Sequence, residues 1–276
     1  MKRRRSLLVV EILAVALALV IFGVPISFVI TNAGKTSAGA AEMSIAPAAK
    51  TQYIANFSNV ISASNHMLIR AFANSTVITA LSILVLLAVS SMAGFVLERR
   101  KGRGISWVNF LVLAGLMIPP AVVPTIWVLK SIGLYKSLVG LVLVEAALAF
   151  PFSVLLYRGY MGAIPRELDE ASFIDGCTGL DLFVRVIFPL MKPVSTTIAI
   201  ITSISVFNDF VNPLYFLPGA KNVTVQLTLY NFISTYLNKW NLLFADILLI
   251  SIPPLVFFIF FNRKIVSGMV AGAIKS

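Results

Sequence analysis

The sequence predicts an all-α, polytopic membrane protein with six transmembrane helices and both termini in the cytoplasm. Three observations lead there. Hydrophobic residues make up 59% of the 276, against about 45–50% in a soluble domain, and mean hydropathy is +0.95. Six apolar runs approach the roughly 20 residues that a helix rising about 1.5 Å per residue needs to cross the hydrocarbon core. The Lys and Arg residues divide unevenly between alternate connections. A formal charge of +11 would suggest nucleic acid for a soluble protein, but in a membrane chain it reflects cations kept on the cytoplasmic side, so no nucleic-acid partner is expected. A single cysteine, Cys177, excludes an intrachain disulfide, and a single histidine, His66, excludes a His-based metal cluster.

The first helix is placed over 6–30. Its apolar run is 25 residues long, whereas a signal-peptide core is about 7–15, so it is read as an uncleaved membrane helix. The others are placed over 72–97, 105–129, 138–157, 195–217 and 242–261. Pro119, Pro120 and Pro124 in the third and Pro253 and Pro254 in the sixth predict kinks, which neighbouring helices or water can satisfy. With the N-terminus inside, the inner segments hold 15 of the 22 Lys and Arg residues and the outer segments hold seven. Adding or removing one helix would blur that asymmetry. Two connections are long: an external loop over 31–71, rich in Ala, Ser, Asn and Thr, and an internal loop over 158–193. A cytoplasmic tail follows over 262–276.

The internal loop gathers Glu167, Asp169, Glu170 and Asp175, four of the eleven acids in the chain. Placed at the centre of membrane helices, four acids would cost on the order of 10 kcal/mol, so the segment belongs in water or against a polar partner. It reads as two short helices. Pro165 suits a first helical turn, Arg166 and Glu170 are spaced to pair, Leu168, Ala171 and Ile174 form a narrow apolar stripe, and Gly176 suits the C-terminal cap. Thr178 would cap the second helix, with Asp181 and Arg185 four apart and Pro189 ending it. The stripe is too narrow for a core helix, and the net charge of −3 over 165–175 invites a basic partner.

Glu170-Ala171-Ser172, then Asp175-Gly176, then Val186-Ile187-Phe188-Pro189 resembles the EAA loop of permease subunits of ABC importers. Ser172, Val186 and Phe188 are mild departures from that family's pattern. The resemblance covers most of the chain and is strongest to maltose-type carbohydrate permeases. Phe72 to Phe95, with Asn74-Ser75, is similar to the start of the family's transport core. Gly268, Gly272 and Lys275 match a Gly-x-x-x-Gly-x-x-Lys tail that contacts the ATPase, and Asn262 stands where many relatives carry Gln. The resemblance implies that the whole chain, 1–276, is a single transmembrane domain and that the first helix of the loop is a coupling helix seated in a cleft of a cytoplasmic ATPase. It gives Glu170 an ion pair there, Ala171 close approach and Gly176 the turn between the two helices, with Ser172, Asp175 and Pro189 completing the motif.

Other features remain open or are set aside. A second Glu-Ala-Ala, at Glu145-Ala146-Ala147, lies inside the fourth helix without the following Asp-Gly and Pro. Glu145 is an intramembrane acid that either faces a translocation path or bonds to a neighbouring helix. Asn208, Asp209 and Asn212 near the outer end of the fifth helix resemble the family's Trp-Asn-x-Phe region, with Phe207 for the Trp. They are either path contacts or interhelical hydrogen bonds. Asp246 poses the same choice. Glu11 lies near enough to the inner surface to snorkel or meet Arg5. Tyr230, Tyr236 and Trp240 belong to an external loop, as an interfacial belt or a binding-protein contact. Ala33-Gly34-Lys35-Thr36 is similar to the end of a phosphate-binding loop, but Val29 stands where that loop needs a glycine.

The resemblance therefore implies a bacterial cell-membrane subunit without an ATPase site or a bound cofactor or metal. ATP and Mg would be bound by two partner ATPase subunits, beside a second permease subunit and an external solute-binding protein. The expected cargo is a sugar or oligosaccharide. A polyamine or glycerol-phosphate importer is the alternative within the class, and an ion-gradient carrier the alternative outside it. A membrane enzyme is disfavoured, because one His, one Cys and scattered acids make no catalytic constellation.

Overall fold

The apolar runs fold as helices, some of them broken. A computed structural model describes residues 2–48, 50–233 and 238–273, with side chains over 10–48, 50–233 and 238–261. In chain order the helices are α1 (Lys2–Ala33), α2 (Ser37–Ala41), α3 (Tyr53–Arg99), α4 (Arg103–Ala114), α5 (Val122–Ser131), α6 (Leu138–Met161), α7 (Glu167–Ile174), α8 (Gly179–Leu190), α9 (Lys192–Phe207), α10 (Val211–Phe216) and α11 (Trp240–Ala273). A 3-10 turn covers Val225–Asn231. No strand occurs among the described residues.

Among those residues, four helices are long and apolar enough to cross a membrane: α1 over Val10–Ala33, α3, α6, and α11 over Trp240–Phe261. The pair α8 and α9, bent by 72°, makes a fifth if counted as one span. Six unbroken spans are therefore not found among the described residues. The third expected helix, 105–129, is two helices, α4 and α5, parted at Pro119-Pro120. α4 ends at Ala114 and α5 starts at Val122; a proline disfavours helical geometry in the residue before it and offers no N–H to the ladder, which keeps the helix from resuming across Pro119-Pro120. Pro124 is tolerated because it lies in the first turn of α5. The fifth expected helix, 195–217, starts earlier, at Lys192, and divides at Asn208–Phe210 into α9 and α10. By contrast, α11 runs on through Pro253 and Pro254 and continues well into the expected tail.

The external connection 31–71 is largely helical rather than an open loop. α3 begins at Tyr53, and its helix is interrupted by Ala63 to His66, where Ser64, Asn65 and His66 have φ between 48° and 56°. That left-handed region costs roughly 1–2 kcal/mol per residue. Thr36 of the loop-like Gly34-Lys35-Thr36 caps α2, accepting from the Gly39 amide at 3.2 Å, while Lys35 donates to Ser44 O at 2.6 Å.

The chain divides into two units. The first contains 1–70 and 225–253. Asn56 ties it together, donating to the carbonyls of Ala33 (2.8 Å) and Lys35 (2.9 Å) and accepting from Asn241 Nδ2 (2.9 Å). Asp246, fully buried, accepts from Thr228 Oγ1 at 2.8 Å, a bond between α11 and the 3-10 turn. Phe28 meets Phe244 edge-on at 5.4 Å.

The second unit contains 71–224 and 254–276. Its core includes Leu86, Tyr157, Met161, Ile187, Met191 and Ile198, none more than 2% exposed. The Tyr157 hydroxyl and Ser195 Oγ are 2.7 Å apart, and Ser195 donates onward to Met191 O. α3 and α6 approach closely at Gly94, where a Cβ would stand 2.6 Å from Tyr157 Cβ. Close approach through a small residue is how helices associate where surrounding lipid supplies no hydrophobic drive.

Candidate functional site

Helix α7 carries the acidic stretch. Glu167, Asp169 and Glu170 all fall in its first turn, where the exposed amides and the helix dipole favour negative charge. Its C-terminal turn closes as the spacing predicts. Gly176 has φ +83°, Gly176 N donates to Phe173 O, and Cys177 N donates to Ser172 O. Thr178 and Asp181 form a capping box at the start of α8, and Asp181 pairs with Arg185 at 3.4 Å. Residues Leu182–Ile187 take π-helical spacing just before Pro189, which separates the proline ring from the carbonyl it would meet in a tighter helix. α8 then continues through Pro189 to Leu190, two residues past the expected end at Phe188.

The expected Arg166–Glu170 pair is not what holds the helix. Arg166 Nη2 donates to Glu98 O at 3.2 Å. Asp169 is the acid that is engaged: Arg99 Nε stands 2.7 Å from its Oδ2, and Arg99 Nη2 donates to its Oδ1 at 3.2 Å. The same guanidinium reaches the carbonyls of Ile164 and Pro165. One step further, Arg158 pairs with Glu98 at 3.3 Å and donates to the Asn109 side chain. The last turn of α3 thus grips both α7 and the segment that enters it. Neither Arg99 nor Asp169 was legible as a site, because a pair 70 positions apart in the sequence leaves no spacing signal.

The opposite face of α7 has no cover. Glu170, Ala171 and Ile174 (86%) are exposed there; Asp175 is exposed at its end, Phe173 (55%) is exposed on the Asp169 side beside Arg99, and Leu180 and Val184 carry exposed apolar surface on α8. Ser172 is buried and bonds to Leu168 O, and Pro189 is half-buried. α7 is thus held on one side and exposed on the other.

The second constellation lies between α6, α9 and α10. A cavity of about 390 Å³ is lined by Glu145, Asp209 and Asn212 together with Ser153, Thr202 and Phe152. Glu145 is 6% exposed and accepts from Asn212 Nδ2 at 3.1 Å. It therefore both bonds to a neighbouring helix and borders a cavity. Asp209 Oδ1 accepts from the Val211 amide at 2.9 Å, at the start of α10. Asn208, the fourth candidate, bonds to Ile204 O at the end of α9 and is not among the residues lining the cavity. Ser153, Thr202 and Phe152 escaped the sequence reading because they look like ordinary membrane-helix residues. Glu11 is exposed on α1. Gly268 and Gly272 lie on α11, and Lys275 and Tyr236 lie outside the described residues.

Residues 87–271 match the family model of the binding-protein-dependent transport system inner membrane component. The chain belongs to that family. Curated relatives agree. A probable ABC transporter permease protein, YurM of Bacillus subtilis (strain 168), is 31% identical over 219 residues, covering 79% of this chain and 73% of its own. AmyC of Thermoanaerobacterium thermosulfurigenes, a probable starch degradation products transport system permease protein, is 31% identical over 215 residues, 77% of this chain and 78% of its own. MelC of Bacillus subtilis (strain 168), a melibiose/raffinose/stachyose import permease protein, is 29% identical over 276 residues, 99% of this chain and 98% of its own. The fold matches a chain of a bacterial ABC transporter involved in the import of the acidic polysaccharide alginate, with a TM-score of 0.82, 18% identity, and coverage of 95% of this chain and 97% of that one. This permease is thus a multi-pass protein of the bacterial cell membrane.

Proposed function

We propose that this permease forms half of the translocation pathway of an ATP-driven importer for a sugar or oligosaccharide. The observation that supports the coupling role is α7, bound by Asp169 to Arg99 on one face and presenting Glu170, Ala171 and Ile174 on the other. An ATPase subunit seats on the bare face, with a basic group against Glu170. Two such subunits bind ATP and Mg and close on each other. α7 moves with them, Arg99 carries the motion into α3, and the pathway turns from inward- to outward-facing. A second permease subunit completes the pathway, and an external solute-binding protein delivers the cargo. Hydrolysis resets the cycle.

In this reading the whole chain, 1–276, is one transmembrane domain that crosses six times with both termini inside. α4 and α5, with 12 and 10 residues, are about 18 and 15 Å long, each short of a hydrocarbon core of about 30 Å and together sufficient for it. α9 and α10 together make the fifth crossing. The cargo class rests on relatives named for melibiose, raffinose, stachyose and starch degradation products. The cavity chemistry suits it: carboxylates, an amide and hydroxyls bond to sugar hydroxyls, and Phe152 offers a ring face.

The test is Glu170→Lys in the intact importer. Solute uptake should be lost and the ATPase subunit should no longer co-purify. Normal uptake by that variant, or uptake by the chain alone in liposomes without any ATPase, would overturn the reading.

A further inference from the structure

A polar pocket at the end of α3 and the start of α4 is used by neither the coupling helix face nor the acid-lined cavity. It holds about 270 Å³ and is lined by Arg100, Lys101, Ser106, Asn109, Arg158 and Arg166, with Glu98 as its one acid. Glu98 is already paired with Arg158. Arg100 and Lys101, both exposed, have no acidic partner within ion-pair distance among the described residues. The pocket continues, through Gly102 and Ser106, into an open groove of about 640 Å³ lined by Arg103, Trp107 and Phe110. Those two rings are 66% and 60% exposed and stand edge to face at 5.9 Å.

A soluble phosphate would use only the cationic pocket. A cationic pocket opening onto an aromatic groove, where an apolar helix begins, suits an amphiphile. Basic pockets between membrane helices take anionic head groups, and tryptophan favours the depth where head group meets acyl chain. We propose that this is a binding site for one anionic phospholipid, its phosphate held by Arg100 and Lys101 and an acyl chain lying along Trp107 and Phe110. The bound lipid braces the same turn of α3 from which Arg99 and Glu98 hold α7.

The test is native mass spectrometry of the full chain in detergent, titrated with phosphatidylglycerol, phosphatidylcholine or inorganic phosphate. Phosphatidylglycerol should bind in preference to phosphatidylcholine and resist inorganic phosphate. A cation near an anionic lipid surface contributes about five-fold in affinity, so Arg100→Gln with Lys101→Gln should weaken phosphatidylglycerol about 30-fold. Trp107→Ala should weaken it with both charges intact, and Lys221→Gln, outside the pocket, should not. The proposal fails if the double variant keeps its affinity within about three-fold. It also fails if inorganic phosphate displaces the lipid while Trp107→Ala binds normally, which would mark a soluble-anion site. A subunit of the assembled transporter seated on Trp107 in place of lipid would overturn it as well. None of these outcomes depends on the solute carried or on ATP hydrolysis.

Discussion

Asp169→Asn isolates the hold that α3 keeps on α7. The Arg99 and Asp169 side chains are only 9% and 14% exposed, so water screens the pair poorly. Exposed ion pairs contribute about 0.2–1 kcal/mol, whereas removing one partner of a buried pair costs about 3–5 kcal/mol. Asparagine keeps the shape and one acceptor, and Arg99 keeps its two carbonyl partners. The loss should therefore fall between those limits, at about 2 kcal/mol, or about 30-fold in the balance between docked and undocked α7. Amide hydrogen exchange of the assembled importer reads this directly. Protection over 167–174 should fall by about that factor, while the α6 amides are unchanged. Because the bare face of α7 is untouched, the ATPase should still co-purify and hydrolyse ATP, with solute uptake reduced. If α7 keeps its protection within about three-fold, or if uptake and hydrolysis fall in step, Asp169–Arg99 is not the link between them.

Four further outcomes follow from the geometry. Gly94→Ala puts a methyl 2.6 Å from Tyr157 Cβ and should cost about 1–3 kcal/mol, seen as a lower melting temperature in detergent; an unchanged melt would mean that α3 and α6 separate freely. Tyr157→Phe removes the 2.7 Å contact to Ser195 and should cost about 1 kcal/mol by the same measurement. Ile174→Asp, at a position 86% exposed, should leave the melt unchanged and weaken ATPase co-purification; an equal yield of complex would remove this residue from the docking face. Glu145→Ala with Asn212→Ala breaks the 3.1 Å contact beside the cavity and should raise the KM for uptake while the complex still assembles, whereas unaltered uptake would make that bond purely structural.

Much of the membrane character was legible early because it is a property of composition. Long apolar runs have nowhere to go but lipid, and α1, α6 and the start of α11 fall near their expected positions. The turn chemistry between α7 and α8 was also legible, since Gly176, Thr178 and Asp181 act on their own backbone within a few residues. Where expectation failed, non-local or cooperative effects decided. Two adjacent prolines cut a run that hydropathy reads as continuous, while Pro253-Pro254 did not. The connection over 31–71 looked like a solvated loop because Asn56 finds its partners more than 20 positions away, at Ala33, Lys35 and Asn241, where no local spacing shows them.

The sequence by itself determined that the chain lives in a membrane and that its acids cluster on a short helix outside the apolar runs. Hydropathy and capping are short-range, so they can be read along the chain. Only the tertiary structure decided which acid is engaged and which is left bare. Asp169 and Glu170 are neighbours with the same charge, but successive positions point about 100° apart around a helix. One therefore meets Arg99, 70 positions away in the sequence, and the other is left exposed.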